Sequence, residues 1–303
     1  MVSTERSICD VSVVIPLYNR RDVIGRALES VLCQTTPPKQ IIVVDDCSAD
    51  DGAAVAASLL RDVDCVIRLE ENVGGAGARN VGIQKATASL VAFLDSDDQW
   101  YPDKLERQLA VVERLRGSNR WIIYSNIDVI YDDGSISAGN IRLFQRPEHI
   151  SEYLLVDYQV IQTSTWLMPR ILADEIKFDE KLRKHQDWDF ILRAGSAGVE
   201  FIGTMDSMVR YFNPADNNRI SRTKNINISK AWIEQKRSLI TKRAMAAFSI
   251  SMLFPDTLTR HPIVAFRYML DALRYNVPAK KIAKAIMVAL LPSRGVSAIR
   301  RFF

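Results

Sequence analysis

Histidine and cysteine are scarce in this chain of 303 residues, with three His and four Cys. Cys9, Cys33, Cys47 and Cys65 are irregularly spaced, with no Cys-x-x-Cys and no paired His, which argues against a zinc site. Buried or half-buried free thiols in a reducing compartment are expected instead. Long apolar runs are missing too. The longest, Ala285 to Leu291, has seven residues against the ~20 that a spanning helix needs, so the chain is not expected to cross a bilayer as a helix. Met1 to Asp10 is polar and carries Glu5 and Arg6, so no secretory leader is expected. No Gly-Lys-Ser/Thr completes a P-loop, and no Gly-x-Gly-x-x-Gly follows the first apolar run. Acidic residues nearly vanish late in the chain. From Arg219 onward 17 Lys or Arg face only Glu234, Asp256 and Asp271, a balance of +14, whereas the first 218 residues carry 23 basic and 33 acidic side chains, a balance of −10. The net charge of +4 therefore hides an acidic body and a basic tail of 85 residues.

What is present is ordinary material for a large core, 48% hydrophobic and 25% charged. Val11 to Tyr18 is a β-branched run closed by Pro16, and Val23, Ile24, Ala27, Leu28, Val31 and Leu32 then fall on one helical stripe that Pro37-Pro38 ends. Ile41 to Val44 reads as a second buried strand, followed by a helix to Leu60, a strand over Cys65–Leu69, a helix over 78–86 and a strand over Leu90–Leu94. Repeated strand–helix alternation predicts a parallel sheet covered on both faces. Beyond it the pattern predicts a helix over Pro102–Arg116, paired short strands at Trp121–Ser125 and Ile127–Tyr131, and another such pair at Glu200–Thr204 and Met208–Phe212. Gly139 to Thr165 alternates weakly. After a polar linker at Asn213–Asn218 only helices are expected, giving domains at 1–218 and 219–303.

The chemistry concentrates where strands end. Leu90-Val91-Ala92-Phe93-Leu94 runs straight into Asp95-Ser96-Asp97-Asp98. Three carboxylates within four residues raise one another's pKa unless something positive lies between them, and their oxygens suit Mg2+ or Mn2+. The competing reading is a solvated acidic turn in which Asp98 or Asp103 caps the next helix. Gly74-Gly75-Ala76-Gly77 precedes a helix, as a phosphate cradle would, or is simply a turn that permits close backbone approach. Gln186-Asp187-Trp188 opens a helix, where Asp187 serves either as a base or as an N-cap with Trp188 in the core.

In order, Val14 to Asn19, Val43 to Ser48, Asn72 through Ala78-Arg79-Asn80-Val81-Gly82, Phe93 to Asp98, Phe178-Asp179-Glu180 and His185-Gln186-Asp187-Trp188 resemble glycosyltransferase family 2, over roughly Val11 to Phe212. The resemblance implies a GT-A type nucleotide-sugar-binding domain with a mostly parallel sheet, here with a helical C-terminal extension. It implies a metal-dependent, hexosyltransferase-like enzyme that transfers a sugar with inversion from a nucleotide-diphosphate sugar to a glycan or lipid-linked glycan acceptor. Such transfers assemble bacterial cell-surface polysaccharide and other glycans. Under it Pro16, Tyr18, Asp45, Asp46, Arg79 and Asp95 bind the donor, and Asp97 with Asp95 holds Mn2+ or Mg2+. Asp98 is the second-choice ligand, Asp187 is the catalytic base, and Trp188 and His185 meet the acceptor. Many members carry Glu-Asp where this chain has Gln186-Asp187, so a neighbouring charge that tunes the base is missing here. A catalytically silent sugar-nucleotide-binding module and a nucleotidyltransferase acting on sugars are the alternatives.

The basic tail has its own reading. Ile282, Ala285, Ile286, Ala289 and Leu290 share one helical face, with Lys280, Lys281 and Lys284 expected towards the other. Such a helix, with Ile299-Arg300-Arg301-Phe302-Phe303 after it, suits an anionic membrane surface and a cytoplasmic enzyme peripheral on the inner face of the cell membrane. The alternative is helices packed on one another with a basic outer face. Nucleic acid is disfavoured by the acidic body.

Overall fold

Val11, Val13, Val14 and Ile15 are fully buried, as a strand with neighbours on both edges and both faces requires. The computed structural model describes residues 8–115, 117–139, 142–213 and 226–290. In it, β1 (Cys9–Leu17) pairs in parallel with β2 (Pro38–Asp45) on one edge and β4 (Leu90–Phe93) on the other, and β3 (Cys65–Arg68) lies outside β2. The connecting helices are α1 (Arg21–Leu32), α2 (Gly52–Leu59) and α3 (Gly74–Lys85). The local order β3-β2-β1-β4 reverses between β1 and β4, and at such a switch point the strand ends open a ligand crevice. α3 lies so close to β1 that a Cβ on Gly82 would come 2.2 Å from a Val14 methyl. Only glycine lets the helix approach that closely.

β5 (Gln99–Trp100) and α4 (Lys104–Val112) precede β6 (Trp121–Ile130) and β7 (Ile136–Ala138). α5 (Ile150–Leu155), β8 (Leu167–Pro169), α6 (Arg170–Ile176), α7 (Gln186–Ser196) and β9 (Glu200–Phe212) follow. The sheet continues past β4 as β8-β6-β9-β5, with β7 beside β6, and it is mixed: β8 is antiparallel to β4 and β6, while β6 and β9 are parallel. β6 and β9 are each one strand where two short ones were expected. The ladder shifts register around Asn126, whose Oδ1 accepts from the Ile127 N–H at 3.0 Å, so the polar break is absorbed as an irregularity. Arg116, the expected end of α4, and the linker beyond Asn213 lie outside the described residues. Cys33 is exposed, against the expectation of burial, and all four cysteines are free thiols.

Four rings knit the second half of the sheet to the first. Phe93 at the end of β4 meets Trp166 and Phe178 edge-on at 6.1 and 5.6 Å, and Phe178 lies 4.7 Å from Phe190 of α7. All four side chains are buried. Aromatic pairs at these spacings add about 0.5–1.5 kcal/mol each beyond area burial.

The chain forms two compact units, 1–144 with 160–219, and 145–159 with 220–303. The expected division at 218/219 thus omits an excursion: Gln145–Gln159, including α5, groups with the C-terminal helices. Those helices are α8 (Ile226–Gln235), α9 (Lys242–Phe248), α10 (Phe254–Thr257), α11 (Pro262–Arg274) and α12 (Ala279–Leu290), with a π-turn at Ser249–Leu253. In this unit Arg243 pairs with Glu152 at 3.0 Å, and Tyr153, Trp232 and Phe248 are buried. The Thr241 hydroxyl caps α9 by accepting from the Ala244 N–H at 3.0 Å, which separates it from α8.

Lys281 departs from the expected outward position. It is buried, its Nζ donating to the Leu155 carbonyl at 3.0 Å and lying 3.1 Å from the centre of the Tyr158 ring. Burial, more than the neighbouring Lys284 and Lys280, lowers its pKa to about 7 against a weaker opposing pull from Asp157. The unfolded chain therefore binds more protons than the folded one between about pH 7 and pH 10, and stability rises with pH across that window. In Lys281→Met this rise should disappear, so the variant's advantage in melting temperature should be largest near neutral pH and shrink towards pH 10. Thermal melts of both proteins across that range check it.

Candidate active site

β4 delivers Asp95, Asp97 and Asp98 to the switch point, and the turn closes with the Asp98 N–H donating to the Asp95 carbonyl at 3.0 Å. Asp98 points inward and is fully buried. Its Oδ2 accepts from Gln162 Nε2 and from the Ser164 hydroxyl, each at 2.7 Å, and Ser164 Oγ in turn accepts from the Asp95 N–H at 3.0 Å. Burial, and then the charges of Asp97 and Asp95, push the Asp98 pKa well above the carboxylate range despite those two donors. Asp98 is therefore not a solvated cap, and the side chain of Asp103 does not cap α4 either.

Arginines surround the turn. Arg79, on α3 and nearly buried, donates from Nη2 to Asp95 at 2.5 Å and from Nη1 to Gln186 Oε1 at 3.2 Å. Its guanidinium lies 5.4 Å over the Phe178 ring. Arg26 Nη2 donates to the Asp97 carbonyl at 2.8 Å, and Arg20 Nη2 is 4.0 Å from the Asp97 carboxylate. Gln186 is held from the other side, its Nε2 donating to the Leu182 carbonyl at 2.7 Å. One guanidinium thus joins the end of β4 to the start of α7, next to Asp187.

Asp187 sits in the first turn of α7, half-buried, while His185 occupies the cap position with φ +64°. The N-cap alternative for Asp187 therefore does not apply. Desolvation raises the Asp187 pKa, offset in part by backbone N–H groups and by Arg79, with Asp95 adding to the rise. The His185 ring stacks on Trp188 at 5.2 Å and 13°, and burial, helped by Lys184, lowers its pKa to about 3. His185 is therefore neutral at physiological pH.

The remaining residues lie at the neighbouring strand ends. Pro16 stands near the end of β1, and Tyr18, just beyond it, is 49% exposed. Asp45 is buried, with Oδ1 accepting from the Ser48 N–H at 3.1 Å and Oδ2 3.6 Å from Arg68 Nε. Both oxygens of Asp46 are engaged by backbone, at 2.7 Å from the Val73 N–H and 2.8 Å from the Gly74 N–H. That carboxylate fills the place at the start of α3 where a phosphate cradle was one reading of the glycine-rich loop. Gly74 has φ +82°, and a Cβ there would meet Arg183 Nη1 at 2.8 Å, so the close-approach reading fits this glycine. Phe178-Asp179-Glu180 also braces the fold, since Asn80 Nδ2 donates to the Phe178 carbonyl at 2.9 Å and to Glu180 at 2.7 Å, pinning α3.

Asp98 Oδ1 is buried and meets no hydrogen-bond donor. Asp95 and Asp97, in contrast, keep partly exposed carboxylates at the turn, an oxygen-only pair that fits Mg2+ or Mn2+. Among the described residues no three His, Cys, Asp or Glu side chains form a complete metal cage. A cation here would take most of its ligands from phosphate oxygens and water, as Mg2+ commonly does. Sequence reasoning missed Gln162 and Ser164, which lie in the weakly patterned stretch, and Arg20 and Arg26, whose signal was a basic helix start directly after the first strand.

Solved structures share this architecture. S. aureus TarS 1–349 in complex with UDP-GlcNAc aligns with a TM-score of 0.61 over 92% of this chain and 88% of that chain, at 17% identity. The fold, with its switch-point crevice, is of the GT-A type. The sequence profile of Glycosyl transferase family 2 matches residues 12–161. The amylovoran biosynthesis glycosyltransferase AmsB of Erwinia amylovora is 36% identical over 77% of this chain and 79% of its own length. The succinoglycan biosynthesis protein ExoO of Rhizobium meliloti is 34% identical over 62% of this chain and 56% of its own length. The chain belongs to glycosyltransferase family 2.

Ser164 holds two parts of the turn at once, so Ser164→Ala should destabilise the fold by about 1–3 kcal/mol, the cost of leaving a buried group unpaired. Denaturant unfolding of the two proteins measures it, and unchanged stability would mean that Asp98 is held without Ser164.

Proposed function

We propose that the protein is an inverting glycosyltransferase that moves a sugar from a nucleotide-diphosphate sugar to an acceptor hydroxyl in the assembly of a bacterial cell-surface polysaccharide. The observation that carries this reading is the Arg79 bridge. It sets the carboxylate turn of β4 against the first turn of α7, so donor-side charge and a base with raised pKa face one crevice. TarS binding UDP-GlcNAc supports a UDP-sugar donor, and the names of AmsB and ExoO support a polysaccharide product. Neither a silent binding module nor a nucleotidyltransferase calls for a carboxylate of raised pKa tied through Arg79 to the acidic turn.

In this reading Pro16 and Tyr18 lie against the nucleobase and Asp45 lies beside the ribose, while Asp46 shapes the loop that Arg79 follows. Asp97, with Asp95, holds Mn2+ or Mg2+, which when bound stabilises the negative charge of the departing nucleoside diphosphate. Asp187 takes the acceptor hydroxyl's proton as its oxygen bonds to the anomeric carbon and the bond to the diphosphate breaks. No second nucleophile intervenes, so configuration inverts. Trp188, braced by the neutral His185, offers its ring to an acceptor sugar. A lipid-linked glycan acceptor would bring the enzyme to the inner face of the cell membrane.

Asp187→Asn keeps the shape and removes the base. Turnover should fall about 10²–10⁴-fold with UDP-sugar affinity retained, and Asp97→Ala should weaken manganese-dependent donor binding. Because the base must be ionised, the parent's rate should rise with pH through a midpoint above the ordinary aspartate value. Product configuration, calorimetry with a panel of nucleotide sugars and a pH–rate profile test these. Near-normal turnover in Asp187→Asn, or a product that retains configuration, would overturn the assignment.

A further inference from the structure

α11 is apolar on two opposite sides. Ala265 and Ala272 are buried on its inner side. Ile263, Phe266, Leu270 and Leu273 form a second stripe at i, i+3, i+7 and i+10, exposed by 86, 63, 49 and 60%. At 100° per residue these four span about 80° of arc facing away from the two alanines. A surface helix normally shows one apolar stripe, and a helix apolar on opposite sides has a partner on each. Large side chains so exposed on one helix are a patch that solvent alone does not explain.

The rim says what covers it. Arg267 and Arg274 border the stripe on the helix, and Arg260 lies one turn before it, at steps of seven residues that return to the same side. All three are exposed, and α11 has a single acidic residue, Asp271. This is the most basic part of the chain, 17 Lys or Arg against three acidic side chains from Arg219 onward. No described helix is long and apolar enough to cross a membrane. An apolar stripe bordered by arginines complements one surface chemistry, that of acyl chains beneath anionic headgroups.

We propose that α11, rather than the terminal basic helix α12, is the membrane-docking element: it lies in the interface of an anionic bilayer with Ile263, Phe266, Leu270 and Leu273 among the acyl chains and Arg260, Arg267 and Arg274 at the phosphates. α12 is the weaker candidate because it spends Lys281, Ile282 and Ala285 on internal packing. The inference rests on the membrane-surface part of the functional reading and is independent of the assigned base.

The test is co-sedimentation of the full chain with phosphatidylcholine vesicles, with and without phosphatidylglycerol. The parent should bind the anionic vesicles, little or not at all the zwitterionic ones, and less at raised salt. Phe266→Glu with Leu270→Glu should lower affinity at least about 100-fold, since two side chains leave the acyl region. Arg267→Ala and Arg274→Ala should each lower it about fivefold on anionic vesicles only. Met287→Glu with Leu290→Glu on α12 should bind as the parent does. Melting temperature and UDP-sugar binding should stay unchanged in all variants, because the substituted side chains are exposed. Parental binding by Phe266→Glu/Leu270→Glu, or loss confined to the α12 variant, overturns the inference while leaving a membrane-bound enzyme. No binding by the parent overturns both, and so does a parent dimer that Phe266→Glu/Leu270→Glu dissociates without any vesicle binding.

Discussion

Carboxylates massed at the end of a buried strand repel, and the site is shaped by what offsets that repulsion. Arg79 offsets it at Asp95 from within the protein, as Arg20 and Arg26 do at Asp97. The Arg79 guanidinium is nearly buried, so its charge acts through little solvent, and it reaches Asp95 and Gln186 from one position. Remove that cation and the end of β4 holds surplus negative charge, while α7 loses its tie to α3. Asp98 shows the other solution. It is shielded from water, given two donors and pushed towards the neutral form.

The neutral side chain at position 186 fits this electrostatics. A glutamate there would form a second ion pair with Arg79 and compete with Asp95 for it. Glutamine accepts the same hydrogen bond without a charge, which leaves the guanidinium's field to Asp95 and to whatever anion enters the crevice. It also spares Asp187 a negative neighbour, so desolvation leads in raising that pKa. The Asp187 pKa is set by how dry α7's first turn is, more than by the residue beside it.

The first half of the sheet was legible because β1, β2 and β4 are largely buried on both faces and end in turn residues, a pattern that survives without tertiary information. The second half was not. β5 and β8 hold two and three residues, too few to show a period, and they exist because β9 and β4 offer them edges. β6 and β9 read as broken because polar residues interrupt them, and the bulge that accommodates those residues is a property of the pair. Arg79, Asp95 and Asp187, which the structure brings near one another, stand out in the motif order. Gln162 and Ser164 do not, since their value lies in reaching a carboxylate more than sixty residues away. Asp46 also holds the start of α3 through the Val73 and Gly74 N–H groups, a contact that motif order does not show. Lys281 broke the amphipathic reading for a similar reason: a lysine whose head finds a carbonyl and a ring can be buried, whatever the wheel says.

The excursion of Gln145–Gln159 changes what the helical region is. A tail added at one end of a chain can be lost by a single stop codon and leave an intact domain behind. Here the main chain leaves the sheet-bearing unit, contributes α5 to the helical unit, and returns before the sheet and α7 are complete. Ending the chain at 219 would leave Tyr153, Leu154 and Leu155, all buried now, on a segment stripped of the helices that cover them. Translation order reinforces the dependence: α5 emerges long before its covering helices and must stay uncovered until the ribosome has finished nearly all of these residues. The two units are therefore inherited as one, and variation that tunes the helical region has to arise by substitution, because neither gene fusion nor truncation can exchange it cleanly.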